Sequence, residues 1–188
     1  MALHFRSSAH SEIGLVRKNN QDSAYASADL VIVADGMGGA AAGDLASGVA
    51  IAEVAALDAQ LAEGAPATPE SGLPPLLGAL ESTVDRSNAR IAALVASEPS
   101  FDGMGTTLCG FALHEDQGAL LNIGDSRAYL IRDGELMRVS HDHSWVQTLV
   151  DSGRLTEAEA LEHPHRSLIL RVINGKPGHV PDLELFEL

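Results

Sequence analysis

The amino-acid sequence predicts an α+β fold in which two long helices lie against an antiparallel β-meander. Apolar residues recur at helical spacing over 43–61 and again over about 75–95. Between 106 and 139 the pattern changes to short apolar runs separated by tight polar turns. Strands joined by turns this short must run antiparallel, whereas a parallel, doubly wound fold needs a helix between successive strands.

Composition limits the classes of protein that fit. With 188 residues, 45% of them hydrophobic, the chain fits one domain with a sizeable core. The net charge of −14 argues against a general nucleic-acid or membrane-surface binder, because polyanions are repelled over most of the surface. No apolar run reaches the roughly 18 residues of a membrane span, and the N-terminus lacks the apolar core of a signal peptide. The expected compartment is therefore the cytoplasm, without membrane insertion.

The N-terminal part of the chain is polar. Residues 3–12 predict an outer strand, and beyond it Arg17 and Asp22 place a cation and a carboxylate five residues apart. The planar fork of an arginine suits the oxygens of a phosphate. The alternative for both residues is a solvated loop.

The stretch from Leu30 to Gly39 predicts the central strand. Five apolar residues, three of them β-branched, lead to Asp35, so a buried strand aims a carboxylate into a Gly-rich turn. Without a Cβ, Gly36 can bring its carbonyl close to a ligand. The alternative is a strand that ends in a common Asp-Gly turn.

The predicted helices are joined by a proline-rich connector over 64–75 and look structural. In the meander that follows, the turn at 124–127 puts Asp125 just beyond an apolar strand, as at Asp35. Locally, an ordinary turn is the alternative.

Cys109 has apolar neighbours, which predicts an inert core residue rather than a nucleophile. The expected strands of the meander cover 106–113, 119–123, 128–131 and 135–139.

The segment Ser140–Trp145 carries His141 and His143. A zinc site is not favoured, because cysteine partners and a His-Glu-x-x-His helix are missing and the two side chains point to opposite sides of an extended chain. We expect a surface loop. The remaining expected elements are a short helix from Trp145, a helix opened by the capping box Thr156–Glu159, an irregular segment over 163–180 and a final strand over 183–186.

Four motifs stand in order along the chain: Gly14-Leu15-Val16-Arg17 with Asn20-Gln21-Asp22; Val33-Ala34-Asp35-Gly36-Met37-Gly38-Gly39; Met104-Gly105-Thr106-Thr107-Leu108; and Ile123-Gly124-Asp125-Ser126-Arg127, followed by Asp142-His143-Ser144. Together they resemble the bacterial members of the protein phosphatase 2C (PPM) family. The resemblance covers nearly the whole chain and implies a single catalytic domain over 1–188. The implied fold is an α-β-β-α sandwich of two antiparallel sheets with a helix pair on each outer face.

The same resemblance implies the site. Asp22, Asp35 and the Gly36 carbonyl would hold two Mg²⁺ or Mn²⁺ ions, Asp125 a third and more labile ion, and Arg17 the substrate phosphate. Oxygen donors of this kind are what hard divalent cations prefer. Asp22 and Asp35 would be catalytic through a metal-bridging water that attacks the phosphoryl group directly. The segment over about 143–174 corresponds to the family's variable flap.

The implied function is a metal-dependent phosphoserine/phosphothreonine protein phosphatase in signalling, whose phosphoprotein substrates come from a bacterial Ser/Thr kinase. Gln21 stands where many relatives carry Glu, and Ala40 where bacterial relatives often carry His, so no general acid is assigned. The family's downstream Ser-Asp-Gly and Asp-Asn motifs, which supply two further metal-binding aspartates, are absent from this sequence. This absence predicts a C-terminally truncated domain that lacks its last strands.

Two alternatives remain from the sequence. The missing aspartates favour a catalytically weak or inactive phosphoprotein-binding or regulatory module of the same fold. An unrelated α+β metal-binding protein would require the four ordered motifs to have arisen by chance.

Overall fold

The elements follow one another as short strands, a long helix pair, more strands, two short helices and a last strand. In the computed structural model, residues 3–38, 42–64 and 72–186 are described. Gly39 and Ala40 lie outside the described residues, as does most of the predicted proline-rich connector. The elements are β1 (Asp22–Ala26), β2 (Leu30–Met37), α1 (Ala42–Ala62), α2 (Pro75–Ser97), β3 (Gly105–Thr106), β4 (Leu108–His114), β5 (Gln117–Ile123), β6 (Tyr129–Arg132), β7 (Glu135–Arg138), α3 (Trp145–Asp151), α4 (Glu157–Glu162) and β8 (Asp182–Phe186).

The main sheet is antiparallel throughout. Its strands run in the order β1-β2-β4-β5-β8, and the short β3 pairs with the end of β2. Strands β6 and β7 form a separate hairpin. The predicted meander is therefore confirmed in its strands, but it divides between two sheets.

Strand β2 lies between β1 and β4 in the main sheet. Leu30, Ile32 and Ala34 are buried against the helices, while Val33 and Asp35 lie on the opposite face. The strand continues to Met37, because β3 extends the ladder beyond the apolar run. Asp35 thus lies within the strand, and the prediction that it follows the strand end is corrected.

Helices α1 and α2 cover one face of the sheet, as the sequence predicts. Ala46, Ala50 and Val54 of α1 are fully buried in the core. Glu53 of α1 ties the pair together, since its carboxylate accepts from Arg86 at 2.9 Å and Arg90 at 2.8 Å on α2. By length and composition α1 is apolar enough to cross a membrane, but its burial against the sheet is also typical of the central helix of a globular core.

The second face of the sheet carries a smaller apolar cluster. Cys109, Leu120 and Ala128 are buried there, and Phe111 packs edge-on against Phe186 at 5.7 Å between ring centroids. The described residues show one long helix pair, and the second sheet consists of the β6–β7 hairpin. The α+β class with antiparallel sheets is confirmed, whereas the helix pair expected on the second outer face is not seen among the described residues.

The predicted outer strand over residues 3–12 is wrong. This segment forms no ladder and is attached through isolated bonds, such as Phe5 N–H to the Ala28 carbonyl at 2.7 Å and His4 Nδ1 with Asp29 Oδ1 at 2.9 Å. Its serines and histidines offer no alternating apolar face to bury, so nothing holds it in a strand register.

Candidate metal and phosphate site

One cavity of about 550 Å³ opens on the face of the sheet away from α1 and α2. Arg17, Asp22, Asp35, Gly36 and Asp125 all line it. The sequence assigned these five residues to one site, although they come from three separate parts of the chain. The structure brings all five together.

Two carboxylates stand side by side at the floor of this cavity. Asp22 is directly opposite Asp35 in the antiparallel register of β1 and β2, so both side chains project from the same face. The pKa of Asp35 is raised to about 6, first by partial desolvation in the cavity and then by the neighbouring charge of Asp22. The Arg17 guanidinium acts in the opposite direction on the same group. Such a repelling pair attracts a divalent cation, because the ion removes the repulsion.

The backbone of Asp35 is held by the threonines of the third motif. Thr107 Oγ1 accepts from Asp35 N–H at 2.9 Å, and the Asp35 carbonyl accepts from Thr107 N–H at 2.9 Å and Thr106 Oγ1 at 3.1 Å. Thr107 Oγ1 also lies 2.7 Å from Ser126 Oγ, next to Asp125. The threonines therefore connect the carboxylate on β2 to the turn after β5. The sequence predicts no role for these threonines beyond the family resemblance of their motif.

Gly36 is enclosed by backbone on the side where a Cβ would lie. A Cβ built there would meet the Gly43 carbonyl oxygen at 2.0 Å and the Gln21 carbonyl oxygen at 2.5 Å. Gly36 N–H donates to that Gln21 carbonyl at 3.1 Å. The close approach of three backbone segments explains why glycine is needed beside Asp35.

Arg17 lies on the exposed rim of the cavity, in the loop that precedes β1. The loop turns into β1 where Asn20 Oδ1 accepts from Asp22 N–H at 2.9 Å, the pattern of an Asx-turn. Asn20 Nδ2 donates to Ser11 Oγ at 2.6 Å. An exposed guanidinium on this rim is suitably placed to bind an anion such as a phosphate group.

Asp125 reaches the cavity from the turn after β5. Gly124 has φ +111°, and an added Cβ would meet the Thr107 side chain at 2.4 Å, so glycine is required here. The turn is fixed by the buried His143: Gly124 N–H donates to His143 Nδ1 at 3.2 Å, and the Gly124 carbonyl accepts from His143 N–H at 2.8 Å. Burial raises the pKa of Asp125.

The surface loop predicted over Ser140–Trp145 is wrong, because Ser140, Asp142, His143 and Ser144 are all buried. Asp142 tolerates burial since both its oxygens accept from Arg127 Nε, at 3.0 and 2.9 Å. These partners lie 15 or more residues away in the sequence, so local polarity suggested exposure.

The ring of His143 accepts a hydrogen bond at Nδ1, whereas its Nε2 has only a close approach to a carboxylate. Burial lowers its pKa, and its Nδ1 accepts a hydrogen bond, so the neutral ring carries its proton on Nε2. Nε2 lies 3.0 Å from Asp182 Oδ2 but without the alignment of a hydrogen bond. The ring thus serves the Gly124 turn, while His141 Nε2 lies 3.1 Å from Asp151 Oδ1.

The segment predicted as a flap adds two residues to the cavity wall. Ser167 and Ile169 line it opposite the carboxylates. The segment is attached to the buried motif by bridge pairing of Ser144 with Ile169 and by Leu170 N–H, which donates to the His143 carbonyl at 2.7 Å. The sequence marked the segment but not these two residues, because the 163–180 stretch has no periodicity from which orientation can be predicted.

The donor set fits a hard divalent cation only in part. Its groups are carboxylate and carbonyl oxygens, which Mg²⁺ and Mn²⁺ prefer. Within the described residues, no three His, Cys, Asp or Glu side chains converge closely enough to hold one ion. An ion between Asp22 and Asp35 would therefore keep several water ligands.

A cysteine nucleophile is ruled out for this site. Cys109 does not line the cavity but is buried in the smaller apolar cluster, and burial raises the pKa of its thiol to about 12. The thiol is protonated at neutral pH and inert, as predicted.

Comparison with known proteins identifies close relatives. A sequence model of the family described as "Protein phosphatase 2C" matches residues 10–176. The chain is 47% identical over 175 residues to the serine/threonine protein phosphatase PstP of Mycobacterium tuberculosis. The matched region covers 93% of this chain and 32% of that protein. The chain thus spans about a third of the length of this curated relative.

Solved structures agree with the sequence match. The crystal structure of the M. tuberculosis phosphatase PstP/Ppp superposes with a TM-score of 0.85 at 47% identity, covering 96% of this chain and 72% of that one. The catalytic domain of PstP in complex with two manganese ions gives a TM-score of 0.81 at 44% identity, over 96% of this chain and 71% of that one.

Proposed function

The chain belongs to the protein phosphatase 2C family, and from this premise we propose that it is a metal-dependent phosphoserine/phosphothreonine protein phosphatase. One observation carries the proposal: Arg17, Asp22, Asp35, Gly36 and Asp125 line a single cavity. Arg17, the cation proposed to bind the substrate phosphate, therefore lines the same cavity as the proposed oxygen donors. No protein nucleophile is needed for direct hydrolysis at such a site.

In this proposal some residues of the site bind metal ions, and another binds the substrate phosphate. Asp22, Asp35 and the Gly36 carbonyl would hold two Mg²⁺ or Mn²⁺ ions, and Asp125 a third. Arg17 would bind and orient the phosphoryl oxygens. When bound, ions of this kind lower the pKa of water and neutralise charge on a phosphoryl group. The crystal structure of the relative with two manganese ions supports this choice of cofactor.

Thr106 and Thr107 position the site without touching substrate. Their bonds hold the backbone of Asp35, and the contact of Thr107 with Ser126 links this backbone to the turn that carries Asp125. Such preorganisation matters because reacting groups must be held in place before the reaction starts.

We further propose that the substrates are phosphoproteins made by a bacterial Ser/Thr kinase, and that the protein acts in cytoplasmic signalling. The name of the mycobacterial relative, a serine/threonine protein phosphatase, supports the substrate class. The acidic chain, with its net charge of −14, supports a partner other than nucleic acid or an anionic membrane surface.

A second candidate function is a phosphoprotein-binding module with weak or no catalysis. It is favoured by the finding that, in the described ranges, no three acidic or other metal-ligating side chains converge on one position. Such a module would bind a phosphothreonine peptide through Arg17 without hydrolysing it.

One experiment separates the two. The purified protein is incubated with p-nitrophenyl phosphate and with a phosphothreonine peptide, with Mn²⁺ or with EDTA. The proposed enzyme releases phosphate from both substrates only with Mn²⁺. Peptide binding without phosphate release supports the binding module, and metal-independent hydrolysis contradicts the proposed mechanism.

A further inference from the structure

A second cavity of about 440 Å³ adjoins the candidate site. The two cavities share Asp125 and Ser167 in their walls, so they meet at the turn after β5 and at the segment that follows α4. The second cavity lies between the β6–β7 hairpin and helices α3 and α4. A peptide chain whose phosphorylated residue enters the first cavity can therefore place a neighbouring side chain in the second.

Three arginines line this second cavity: Arg127, Arg138 and Arg166. The chain as a whole has 12 Lys and Arg residues against 26 Asp and Glu, whereas the lining of this cavity has only three acidic residues for its three arginines. They are not equally available. Arg127 is occupied by Asp142, which accepts from both its Nε and its terminal nitrogen, the latter at 2.6 Å.

Arg138 is only loosely engaged. Its terminal nitrogens lie 3.3 Å from Gln147 Oε1, 3.9 Å from Asp142 Oδ1 and 3.7 Å from Glu157 Oε1. These distances are at or beyond the range of charge-assisted hydrogen bonds. Its side chain is 22% exposed, so it is partly desolvated and can gain from a better-placed anion.

Arg166 is the most available cation. It is exposed, its backbone N–H donates to the His163 carbonyl at 3.0 Å, and among the described residues its guanidinium has no hydrogen-bond or ion-pair partner. It directly precedes Ser167, which both cavities share. A cation at this junction is close to any group that passes from one cavity to the other.

Three acidic residues, Asp125, Asp142 and Glu157, also line the second cavity. Asp142 is compensated by Arg127, Asp125 faces the proposed metal site, and Glu157 is 77% exposed in its side chain. The opposite wall is apolar, formed by Val146, Val150, Ala160 and Leu161. Apolar side chains beside the exposed Arg166 and the loosely engaged Arg138 suit a substrate side chain with an aliphatic stem and an anionic end.

We propose that this second cavity is a subsite for an anionic side chain of the substrate, located a few residues from the phosphorylated serine or threonine, with Arg166 and Arg138 as its specificity-determining residues. The inference rests on the proposed phosphatase function. A glutamate carboxylate and a second phosphoryl group share the required chemistry. The subsite would make the enzyme prefer acidic or doubly phosphorylated segments over neutral ones.

The test compares three kinds of phosphothreonine peptide of equal length. One peptide has neutral flanks, a set of peptides carries single glutamates at successive flanking positions, and one peptide has a second phosphothreonine. Wild type and Arg166→Ala are assayed with Mn²⁺ for kcat/KM on each peptide and on p-nitrophenyl phosphate. Arg132→Ala is the matched control, because Arg132 is an exposed arginine on β6 that does not line either cavity.

We expect wild type to prefer at least one anionic peptide, and Arg166→Ala to lose roughly 3- to 10-fold in kcat/KM on that peptide alone. Arg132→Ala should match wild type. Comparison of the glutamate set with the doubly phosphorylated peptide shows which anion the subsite takes. Equal activity of wild type and Arg166→Ala on all peptides overturns the proposal. An equal loss on p-nitrophenyl phosphate also overturns it, because Arg166 would then act on the reacting phosphate.

A binding measurement keeps this test separate from catalysis. Fluorescence anisotropy is recorded with the same peptides carrying a non-hydrolysable phosphonate in place of the reacting phosphate. If p-nitrophenyl phosphate is not hydrolysed with Mn²⁺, the proposed function fails, while a 3- to 10-fold weaker binding of the anionic peptide by Arg166→Ala still supports the subsite. Equal affinity of both proteins for neutral and anionic peptides overturns the subsite whatever the activity.

Discussion

Asp22 and Asp35 face each other directly across the antiparallel pair β1–β2, and this register places two carboxylates on the face of the sheet that the helices leave open. A one-residue slip would turn one of them towards α1. The register is fixed by Leu30, Ile32 and Ala34, which bury the alternate positions of the same strand. The hydrophobic core therefore determines the geometry of the proposed metal site.

Arg17→Ala tests the phosphate-binding role. The exposed guanidinium should act on substrate more than on metal, so KM for a phosphothreonine peptide should rise about tenfold while Mn²⁺ affinity stays nearly unchanged. Steady-state kinetics and calorimetry measure the two quantities. Lys18→Ala is the control, since Lys18 is an exposed cation of the same loop outside the cavity wall. An unchanged KM would make Arg17 an ordinary solvated loop residue.

The raised pKa of Asp35 predicts a pH dependence of stability. Its pKa is about 6 in the folded chain against an ordinary 3.8, so the folded state binds more protons between these values. In the absence of metal, the contribution of Asp35 to the free energy of unfolding should therefore rise as pH falls from about 7 to about 4. Asp35→Asn lacks this titration. The Tm of Asp35→Asn should exceed the Tm of wild type most strongly above pH 7, and this difference should become smaller as the pH is lowered.

Metal ions should reverse this trend, because a divalent cation and a proton compete for the same carboxylate. The increase in Tm of the wild type on adding Mn²⁺ should be largest above pH 7 and should disappear by about pH 5. Differential scanning fluorimetry across this range measures it. A Mn²⁺ effect independent of pH would show that the ion binds elsewhere.

The sequence was sufficient for most of the fold because the local patterns are strong. Strand β2, the alanine-rich α1 and the Thr156 capping box each appear as predicted, although β2 is buried on one face only. The failures concern contacts between distant residues. Nothing near Asp142 or His143 in the sequence shows that Arg127 and Gly124 will satisfy them in the interior. The place of Arg166 beside a second cavity depends in the same way on how the irregular segment folds back.

Gly36→Ala tests the close backbone approach beside Asp35. A Cβ at this position would lie 2.0 Å from the Gly43 carbonyl oxygen, so the strand or the start of α1 must move. We expect a loss of about 1–3 kcal/mol in the free energy of unfolding. Urea denaturation measures this loss. Gly48→Ala is the matched control, because Gly48 lies in α1 with nothing within 4 Å of an added Cβ; it should stabilise the protein by about 0.5–1 kcal/mol.

Thr107→Val tests the hydrogen bond by which the Thr107 side chain holds the backbone of Asp35. Valine keeps the shape of threonine but removes the oxygen that accepts from Asp35 N–H and contacts Ser126. The free energy of unfolding should fall by about 1–3 kcal/mol, and Mn²⁺ affinity should fall as well. Thr148→Val removes an exposed, local hydrogen bond in α3 and is expected to change both values little. Full Mn²⁺ affinity in Thr107→Val would mean that the threonine is structural only.

The most direct measurement is Mn²⁺ binding by isothermal titration calorimetry to wild type and Asp35→Asn, at pH 7.5 and independent of any catalytic activity. A side chain on the open face contributes little to the core, so circular dichroism should show the same fold in both proteins. We expect Asp35→Asn to bind Mn²⁺ at least about tenfold more weakly than wild type, because the amide removes one of the two facing carboxylates. Equal Mn²⁺ affinity in the two proteins would contradict the assignment of the metal site.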